Sequence, residues 1–332
     1  MSISLKPLVN YLFGPGKGLV AADDKPDSTN KRLEEFNIPE TLEKRTRYRE
    51  IVVTTTNIEK YISGIIFHEE TLSNTLSDGR SFHEVLRSRG IITGIKVDQG
   101  LTLLSRSSIE QKTNGLETLA DRLLDYKKFG AQFCKWRSVF TIGKDMPTDE
   151  CINENIKIFA KYTQIALQNN YLPILEPEVL TLGDHPIEVC KKTTQQILLS
   201  LFALLDKENV DMSQVILKTN MVLPGTDAKI KASPSEVAEK TIGCLTGSVP
   251  HNTGGIVFLS GGQSTLEANL HLNAICQVKS LPWPISFSFD RAFMYPVLKA
   301  WQGRKENIVR AQNELLEVTK DSSQALQGVF KP

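Results

Sequence analysis

Lys218 lies in a segment of the chain where a charged side chain is costly. The segment around it, QVILKTNMV from Gln214 to Val222, is short and rich in β-branched and apolar residues, and it predicts a buried strand. A cation inside such a strand must be paired or must lose its proton. A desolvated lysine does so readily, and its neutral amine attacks carbonyl groups. The segment therefore predicts a nucleophilic lysine that forms a covalent intermediate with a carbonyl compound.

Charged residues interrupt other strand-like segments in the same way. Two segments carry pairs spaced i, i+2, Lys135 with Arg137 and Glu176 with Glu178, so both members of each pair point to one face. A single charged residue at a strand end is usually a solvated rim residue. Many such residues of both signs, on six strands, instead indicate a site for an anionic substrate. The remaining charges at the ends of apolar runs are Asp23, Asp24, Lys96, Asp98, and Arg291.

A glycine-containing loop follows another apolar strand. In this loop Ser260, Gly261 and Gly262 stand between the strand and a helix that opens with Ser264 and, three residues on, Glu267, the pattern of a capping box. Backbone N–H groups of glycines approach an anion closely, and a helix N-terminus favours negative charge. A tight turn without a ligand has the same sequence, so the phosphate-site interpretation depends on the position of the loop in the fold.

The elements that position these residues alternate between apolar strands and amphipathic helices. This alternation predicts parallel strands covered by helices, and eight units predict a single (β/α)8 TIM barrel with extra N- and C-terminal helices. The predicted domain spans 1–332, with the barrel core at about 18–296 and a helical extension at about 297–332. The eight predicted strands are Gly18–Asp24, Ile62–His68, Thr93–Asp98, Phe133–Phe140, Leu172–Val179, Val215–Val222, Gly255–Gly261 and Ile285–Arg291. The predicted helices are Gly115–Phe129, Asp149–Gln168, Pro186–Leu205, Ser233–Thr246 (with a second capping box, Ser233 and Glu236) and Ser264–Cys276.

Composition narrows the class of protein. The 332 residues are 40% hydrophobic and carry a net charge of +1, which gives no bias toward nucleic acid or a membrane surface. The five cysteines lack CxxC spacing, and we expect reduced thiols in a cytoplasmic protein. The histidines are scattered without metal-ligand spacing, and neither a Walker A loop nor a Rossmann glycine pattern occurs. We expect no metal and no cofactor, which leaves amine chemistry on a phosphorylated carbonyl compound.

The chain resembles the class I, Schiff-base-forming fructose-1,6-bisphosphate aldolase family over nearly its whole length. The order and spacing of seven motifs carry the resemblance. It implies a TIM barrel, usually a homotetramer, that cleaves fructose 1,6-bisphosphate reversibly to dihydroxyacetone phosphate and glyceraldehyde 3-phosphate without a metal. The motifs are LVAADD (from Leu19), GIKVDQG (from Gly94), KWR (from Lys135), EPE (from Glu176), LKTNMV (from Leu217), FLSGGQS (from Phe258) and FSFDRA (from Phe287).

The resemblance also implies a role for each site residue. Lys218 matches the lysine that forms the imine with the C2 ketone, Glu176 the acid/base that dehydrates the carbinolamine, and Asp23 the carboxylate that takes the C4 hydroxyl proton. Lys135 matches the lysine beside the imine, and Arg137 and Glu178 the pair that orients the cluster. Two further sets match the phosphate sites. The set for the dihydroxyacetone phosphate half is Ser260, Gly261, Gly262, Ser288 and Arg291, and the set for the other phosphate is Ser28, Arg32 and Lys96.

The chain departs from the family pattern at three places. Animal-type members carry ESTG where this chain has Asp24, Lys25, Pro26 and Asp27, so that Lys25 replaces a serine that meets the distal phosphate. Asp290 stands where a glycine precedes the phosphate arginine, and an acid there is expected to weaken phosphate binding unless it points away. Animal-type members also end in a mobile tyrosine, whereas the last tyrosine here is Tyr295, so we expect another group to protonate the enamine.

Two alternatives stay open: a class I aldolase for another phosphorylated ketose, and a non-catalytic barrel that serves as a binding partner.

Overall fold

The computed structural model describes residues 4–105 and 108–332, and eight of its strands close into a parallel barrel. Around the barrel the order is β1, β2, β3, β6, β7, β8, β9, β10 and back to β1. The predicted (β/α)8 fold class is therefore confirmed. The barrel strands are β1 (Gly18–Ala22), β2 (Ile62–Phe67), β3 (Ile92–Lys96), β6 (Ala131–Phe140), β7 (Leu172–Val179), β8 (Ile216–Thr219), β9 (Gly255–Phe258) and β10 (Ile285–Phe289).

Each predicted strand coincides with one barrel strand, but most predictions run too far at the C-terminal end. The predicted strands include Asp23, Asp24, Asp98 and Arg291 at their ends, but all four residues lie beyond the observed strands. Pairing stops where the chain turns out of the barrel into the loops, and sequence pattern alone does not mark that point. A small antiparallel hairpin after β3 was not predicted. Its strands are β4 (Leu101–Leu103) and β5 (Gln111–Thr113).

Helices separate the barrel strands and cover the outside of the barrel. Of the two predicted capping boxes, the one at Ser264 and Glu267 is complete, whereas Ser233 caps the Glu236 backbone N–H without the reciprocal contact. The predicted barrel boundary near residue 296 falls inside the helix that follows β10. The helices are α1 (Lys6–Leu12), α2 (Pro26–Glu35), α3 (Leu42–Thr54), α4 (Glu69–Leu72), α5 (Phe82–Ser88), α6 (Leu119–Lys127), α7 (Asp149–Gln168), α8 (Ile187–Lys207), α9 (Pro234–Thr246), α10 (Thr265–Cys276), α11 (Arg291–Trp301) and α12 (Ile308–Leu326).

The N-terminal half of the barrel interior is apolar and closed by α1. Val9 and Leu12 of this helix pack onto inward-facing strand residues in one buried cluster. Because side chains alternate along a strand, the residue two positions further on each strand also faces the interior, nearer the C-terminal end. The strand members of the cluster are Leu19, Ile66, Phe133, Leu172, Ile174, Ile216 and Val257.

The Phe133 ring fills the interior at a position where β3 offers no side chain. Gly94 is the register partner of Phe133, and a Cβ on Gly94 would lie 2.2 Å from the ring. Real Cβ atoms do not approach so closely, so a glycine is required there by close packing. The position of the strand that carries Lys96 two residues later depends on this contact.

We expect Gly94→Ala to lower the free energy of unfolding by about 1–3 kcal/mol, because the added methyl group overpacks the barrel interior. Gly243→Ala is the matched control. Gly243 lies exposed inside α9, and its added Cβ would meet only the end of the Lys191 side chain, at 3.7 Å. That variant should gain about 0.5–1 kcal/mol from reduced backbone entropy in the unfolded chain. Chemical denaturation measures both, and a shift of the two variants in the same direction would contradict this account of Gly94.

Candidate active site

One cavity of about 610 Å³ opens at the C-terminal ends of the barrel strands. Every predicted site residue except Gly262 lines it; Gly262 lines a neighbouring cavity of about 750 Å³ bordered by α10, α11 and α12. Residues far apart in the sequence are therefore brought together at one cavity. The predicted residues at the cavity are Asp23, Ser28, Arg32, Lys96, Lys135, Arg137, Glu176, Glu178, Lys218, Ser260, Gly261, Ser288 and Arg291.

Four buried ionic side chains form a continuous row at the base of the cavity. Lys135 Nζ lies 2.7 Å from Asp23 Oδ2 and 2.6 Å from Glu176 Oε2. Lys218 Nζ lies 3.0 Å from the other oxygen, Glu176 Oε1. None of the four side chains is more than 7% exposed. A carboxylate and an amine that can exchange a proton are thus in contact, with a second amine holding two carboxylates.

The charges of this row stabilise one another against the cost of burial. Burial would raise the pKa of Asp23, but Lys135 and Lys218 outweigh it and hold the pKa well below its usual range. Burial likewise opposes the charge of Lys135, but Asp23 and Glu176 outweigh it and raise the pKa of this lysine. Burial also disfavours ionised Glu176, and Lys135 and Lys218 again lower the pKa. Asp23 is therefore ionised, and Lys135 remains a cation.

Two further ion pairs lie above this row. Arg137, two residues after Lys135, donates from Nε to Glu178 Oε2 at 2.6 Å. Lys96 forms a short ion pair with Asp98, and Asp98 also accepts the Arg137 backbone N–H at 3.2 Å. Arg137 of β6 thus contacts both Asp98 and Glu178. These contacts link the C-terminal ends of the adjacent strands β3, β6 and β7.

The side of the cavity formed by β9 and β10 has the features of an anion site. Gly261 has φ +56°, a conformation that favours glycine, and the loop leads into the capped N-terminus of α10. Ser288 is fully buried, yet its Oγ has no hydrogen-bond partner among the described residues. Arg291, the first residue of α11, lines the same side. A phosphate group here would accept hydrogen bonds from a hydroxyl, from backbone N–H groups and from a guanidinium.

The adjoining side of the cavity, formed by α2 after β1, carries a cation that is already paired with carboxylates. Arg32 was predicted to meet a phosphate, but its guanidinium lies between two carboxylates, Asp24 and Asp290. Ser28 is half-buried on the same helix, and Lys25, at the N-cap of that helix, also lines the cavity. Asp290 was expected to weaken phosphate binding unless its side chain points away from the site. Its carboxylate instead contacts Arg32, one of the residues predicted to bind a phosphate.

Sequence reasoning missed several residues that line the cavity. Tyr295 lies between two arginines, with its ring centre 5.6 Å from Arg291 and 5.7 Å from Arg32, and its hydroxyl donates to Glu35 at 3.0 Å. Its place on α11, one turn after Arg291, is the signal that could have identified it. The hairpin residue Gln111 also lines the cavity, and the missed hairpin concealed it. Within the described ranges, no group of three or more His, Cys, Asp or Glu side chains is arranged to hold a metal ion.

The chain is similar to known proteins over its whole length. The family model "Fructose-bisphosphate aldolase class-I" matches residues 4–332. A curated "Fructose-bisphosphate aldolase" from Drosophila melanogaster is 41% identical over 328 residues, which cover 98% of this chain and 91% of that protein. A "Probable fructose-bisphosphate aldolase class 1" from Xylella fastidiosa (strain 9a5c) is 41% identical over 333 residues, and all of both chains is covered.

A solved structure agrees with these matches. It is a ternary co-crystal structure of fructose-bisphosphate aldolase from Plasmodium falciparum in complex with TRAP and a small-molecule inhibitor. That chain superposes with a TM-score of 0.97 at 39% identity, covering 99% of this chain and 95% of its own. In the part of this chain that the structure describes, no helix has the length and apolar character needed to cross a membrane.

We expect Lys135→Met to destabilise the fold by about 3–5 kcal/mol, because it leaves buried carboxylates without their shared cation. Lys128→Met is the matched control. Lys128 pairs with Asp125 on the surface, where the two side chains are 71% and 65% exposed, and its loss should cost no more than about 1 kcal/mol.

The effect of Lys135→Met should depend on pH. In the unaltered protein the lowered pKa of Asp23 stabilises the fold at pH values above the pKa of an ordinary carboxyl group. This contribution is lost as the pH falls toward the lowered pKa. Without Lys135 the buried carboxylates bind protons more easily, so the stability deficit should be smaller at pH 5 than at pH 8. Urea denaturation at both pH values measures this, and equal stability of the two lysine variants would contradict the assignment.

Proposed function

Because this chain belongs to the class I fructose-bisphosphate aldolase family, we propose that Lys218 is the residue with which it forms the imine. The enzyme is a carbon–carbon lyase of glycolysis that cleaves fructose 1,6-bisphosphate reversibly through a lysine Schiff base. The contact between Lys218 Nζ and Glu176 Oε1 at 3.0 Å carries the proposal, since it joins a nucleophile to a proton-transfer group at the base of the cavity.

Glu176 is proposed to move the protons of imine formation. The neutral Lys218 amine attacks the C2 ketone, and the carbinolamine loses its hydroxyl as water after Glu176 donates a proton to it. Glu176 is paired with both lysines in the free enzyme, so the same carboxyl group can receive a proton from Lys218 and pass it on. The product of this step is a cationic imine on Lys218.

Asp23 is proposed to start the cleavage of the C3–C4 bond. Its lowered pKa keeps it ionised, so it can take the proton of the C4 hydroxyl. The electrons of the broken bond move into the imine, which becomes an enamine, and the aldehyde half leaves. Lys135 stays positively charged between Asp23 and Glu176. It stabilises whichever of these two carboxyl groups is ionised at each step. Protonation of the enamine at C3 and hydrolysis of the imine then release dihydroxyacetone phosphate.

The two phosphate groups are proposed to occupy different parts of the cavity. The phosphate of the dihydroxyacetone half binds where Ser288 Oγ is buried without a partner and where Arg291 and the Gly261 loop converge. The other phosphate lies toward Ser28 and Lys96. This orientation places the ketone carbon between the two sides, over the row of ionic groups that contains Lys218.

Incubation with fructose 1,6-bisphosphate and borohydride should reduce the imine and add substrate mass to the peptide that contains Lys218. Lys218→Met should abolish turnover and labelling while it leaves the thermal transition within a few degrees, since a side chain of similar volume fills the site and Glu176 keeps its ion pair with Lys135. Mass spectrometry of the trapped enzyme measures the first result, and a coupled cleavage assay measures the second.

Lys192→Met is the control for this experiment, because Lys192 is an exposed lysine on α8. It should retain full turnover and full labelling. Turnover should also persist in EDTA, since the imine serves as the electron sink of the reaction. Label on another lysine, or cleavage by Lys218→Met, would show that Lys218 is not the imine-forming residue.

We also propose that the chain works in the cytoplasm as a homotetramer. The support is its membership of a family whose members usually form tetramers. The cysteines add support for a reducing compartment: each of the five is free. Light scattering on the purified protein should give about four times the chain mass of 37.1 kDa. A mass equal to one chain at micromolar concentration would contradict the tetramer without affecting the proposal for Lys218.

A further inference from the structure

Both terminal nitrogens of the Arg32 guanidinium contact carboxylates, and the side chain lines the cavity. Arg32 donates from Nη1 to Asp290 Oδ1 at 2.7 Å and from Nη2 to Asp290 Oδ2 at 2.6 Å, a bidentate pair. Asp24 Oδ2 lies 2.5 Å from the same Nη1. The Arg32 side chain is only 11% exposed, so little water competes with these contacts.

Asp290 is directed at Arg32 rather than at the helix that it precedes. It occupies the N-cap position of α11, where an aspartate ordinarily accepts a backbone N–H bond, but its side chain makes no cap bond here. Asp24 is held in place as well, because the buried Arg49 donates to its backbone carbonyl at 3.3 Å. Two loops that follow adjacent strands, β1 and β10, thus each direct one carboxylate at a single cation.

The charge balance around Arg32 leaves it without a free positive charge. One guanidinium faces two carboxyl groups, and burial together with the charge of Asp290 raises the pKa of Asp24 to about 7. The bidentate pair with Asp290 balances the charge of Arg32 whichever form Asp24 takes. A phosphate dianion that approaches the fork of Arg32 meets bound carboxylates and must displace them.

Other cations on this side of the cavity differ in their pairing. Lys96 is paired with Asp98, whereas Lys25 and Lys31 line the cavity without an ion-pair partner among residues 4–105 and 108–332. Both are exposed, so solvent screens their charge. The second phosphate therefore meets screened lysines and a neutralised arginine.

We propose that Asp24 and Asp290 determine the substrate specificity of this enzyme by occupying Arg32, so that the second phosphate of a ketose bisphosphate contributes less to catalysis than an unpaired Arg32 would allow. The enzyme then discriminates weakly between ketose 1,6-bisphosphates and ketose 1-phosphates. This inference rests on the proposed function, because it takes cleavage at Lys218 as given.

The test compares kcat/KM for fructose 1,6-bisphosphate and fructose 1-phosphate in four proteins: the unaltered enzyme, Asp24→Asn, Asp290→Asn and the double variant. Either single variant should change the ratio of the two values by less than about threefold, because the other carboxylate still pairs with Arg32. The double variant should raise the ratio roughly tenfold or more, through a lower KM for the bisphosphate, as Arg32 gains a charge-assisted bond to phosphate. Its kcat/KM for fructose 1-phosphate should stay within about threefold.

Two controls separate release of Arg32 from a general change in the charge of the cavity. Glu35→Gln also removes one cavity-lining carboxylate, but Glu35 pairs with Tyr295 and not with Arg32, so the ratio should not change. Arg32→Met in the double-variant background should abolish the gain. An equal rise in Glu35→Gln, or a gain that survives the loss of Arg32, would overturn the proposal.

The remaining outcomes also decide the question. A lower ratio in the double variant would mean that the carboxylates orient Arg32 for phosphate, and an unchanged ratio would mean that Arg32 does not meet the second phosphate; both overturn the inference. Borohydride labelling of Lys218 is measured in every variant. Labelled enzymes with an unchanged ratio refute only this inference, whereas an unlabelled wild-type enzyme refutes the proposed function.

Discussion

The two-residue period of a β-strand, repeated around a closed parallel barrel, fixes where the ionisable groups of this site lie. Phe133 and Lys135 point into the same interior from β6, as do Ile174 and Glu176 from β7. The first member of each pair fills the closed, apolar end of the barrel, and the second faces the cavity. Because all strands run in one direction, the charges that they position lie at the same end of the barrel. A shift of one residue in register would exchange core and site together.

Burial at this end makes the charges dependent on one another. Lys135 is nearly inaccessible to water, and it remains a cation because Asp23 and Glu176 both contact it. The same lysine keeps those carboxylates ionised, against the cost of their burial. Since Asp23, Lys135 and Glu176 are each stabilised as ions by their neighbours, their contacts are formed before substrate arrives. Such a preorganised row needs little rearrangement during proton transfer.

The sequence was sufficient to predict the barrel, the approximate positions of its eight strands and 13 of the 24 residues that line the cavity, because strand periodicity and the motifs can be recognised directly in the sequence. It did not predict contacts between loops. The hairpin that brings in Gln111 consists of strands of three residues each, too short for a pattern to identify. Asp290 was recognised as unusual, but its partner Arg32 is 258 positions away, and no local signal joins them. Tyr295 was missed because its neighbours on other elements give it its place.

The two sides of the cavity differ in whether their hydrogen-bond donors are already bound to groups of the protein. On the side of β9 and β10, neither the buried Ser288 hydroxyl has a hydrogen-bond partner nor Arg291 an ion-pair partner among the residues that the structure describes. An incoming phosphate therefore meets unused donors. On the side of α2, the donors of Arg32 are already bound by Asp24 and Asp290. Burial increases the cost of an unpaired charge, and Arg32, which is the more deeply enclosed arginine, is the one that is paired. Internal pairing holds Arg32 in a fixed position, but it also withdraws from the substrate the interaction that this arginine would otherwise supply.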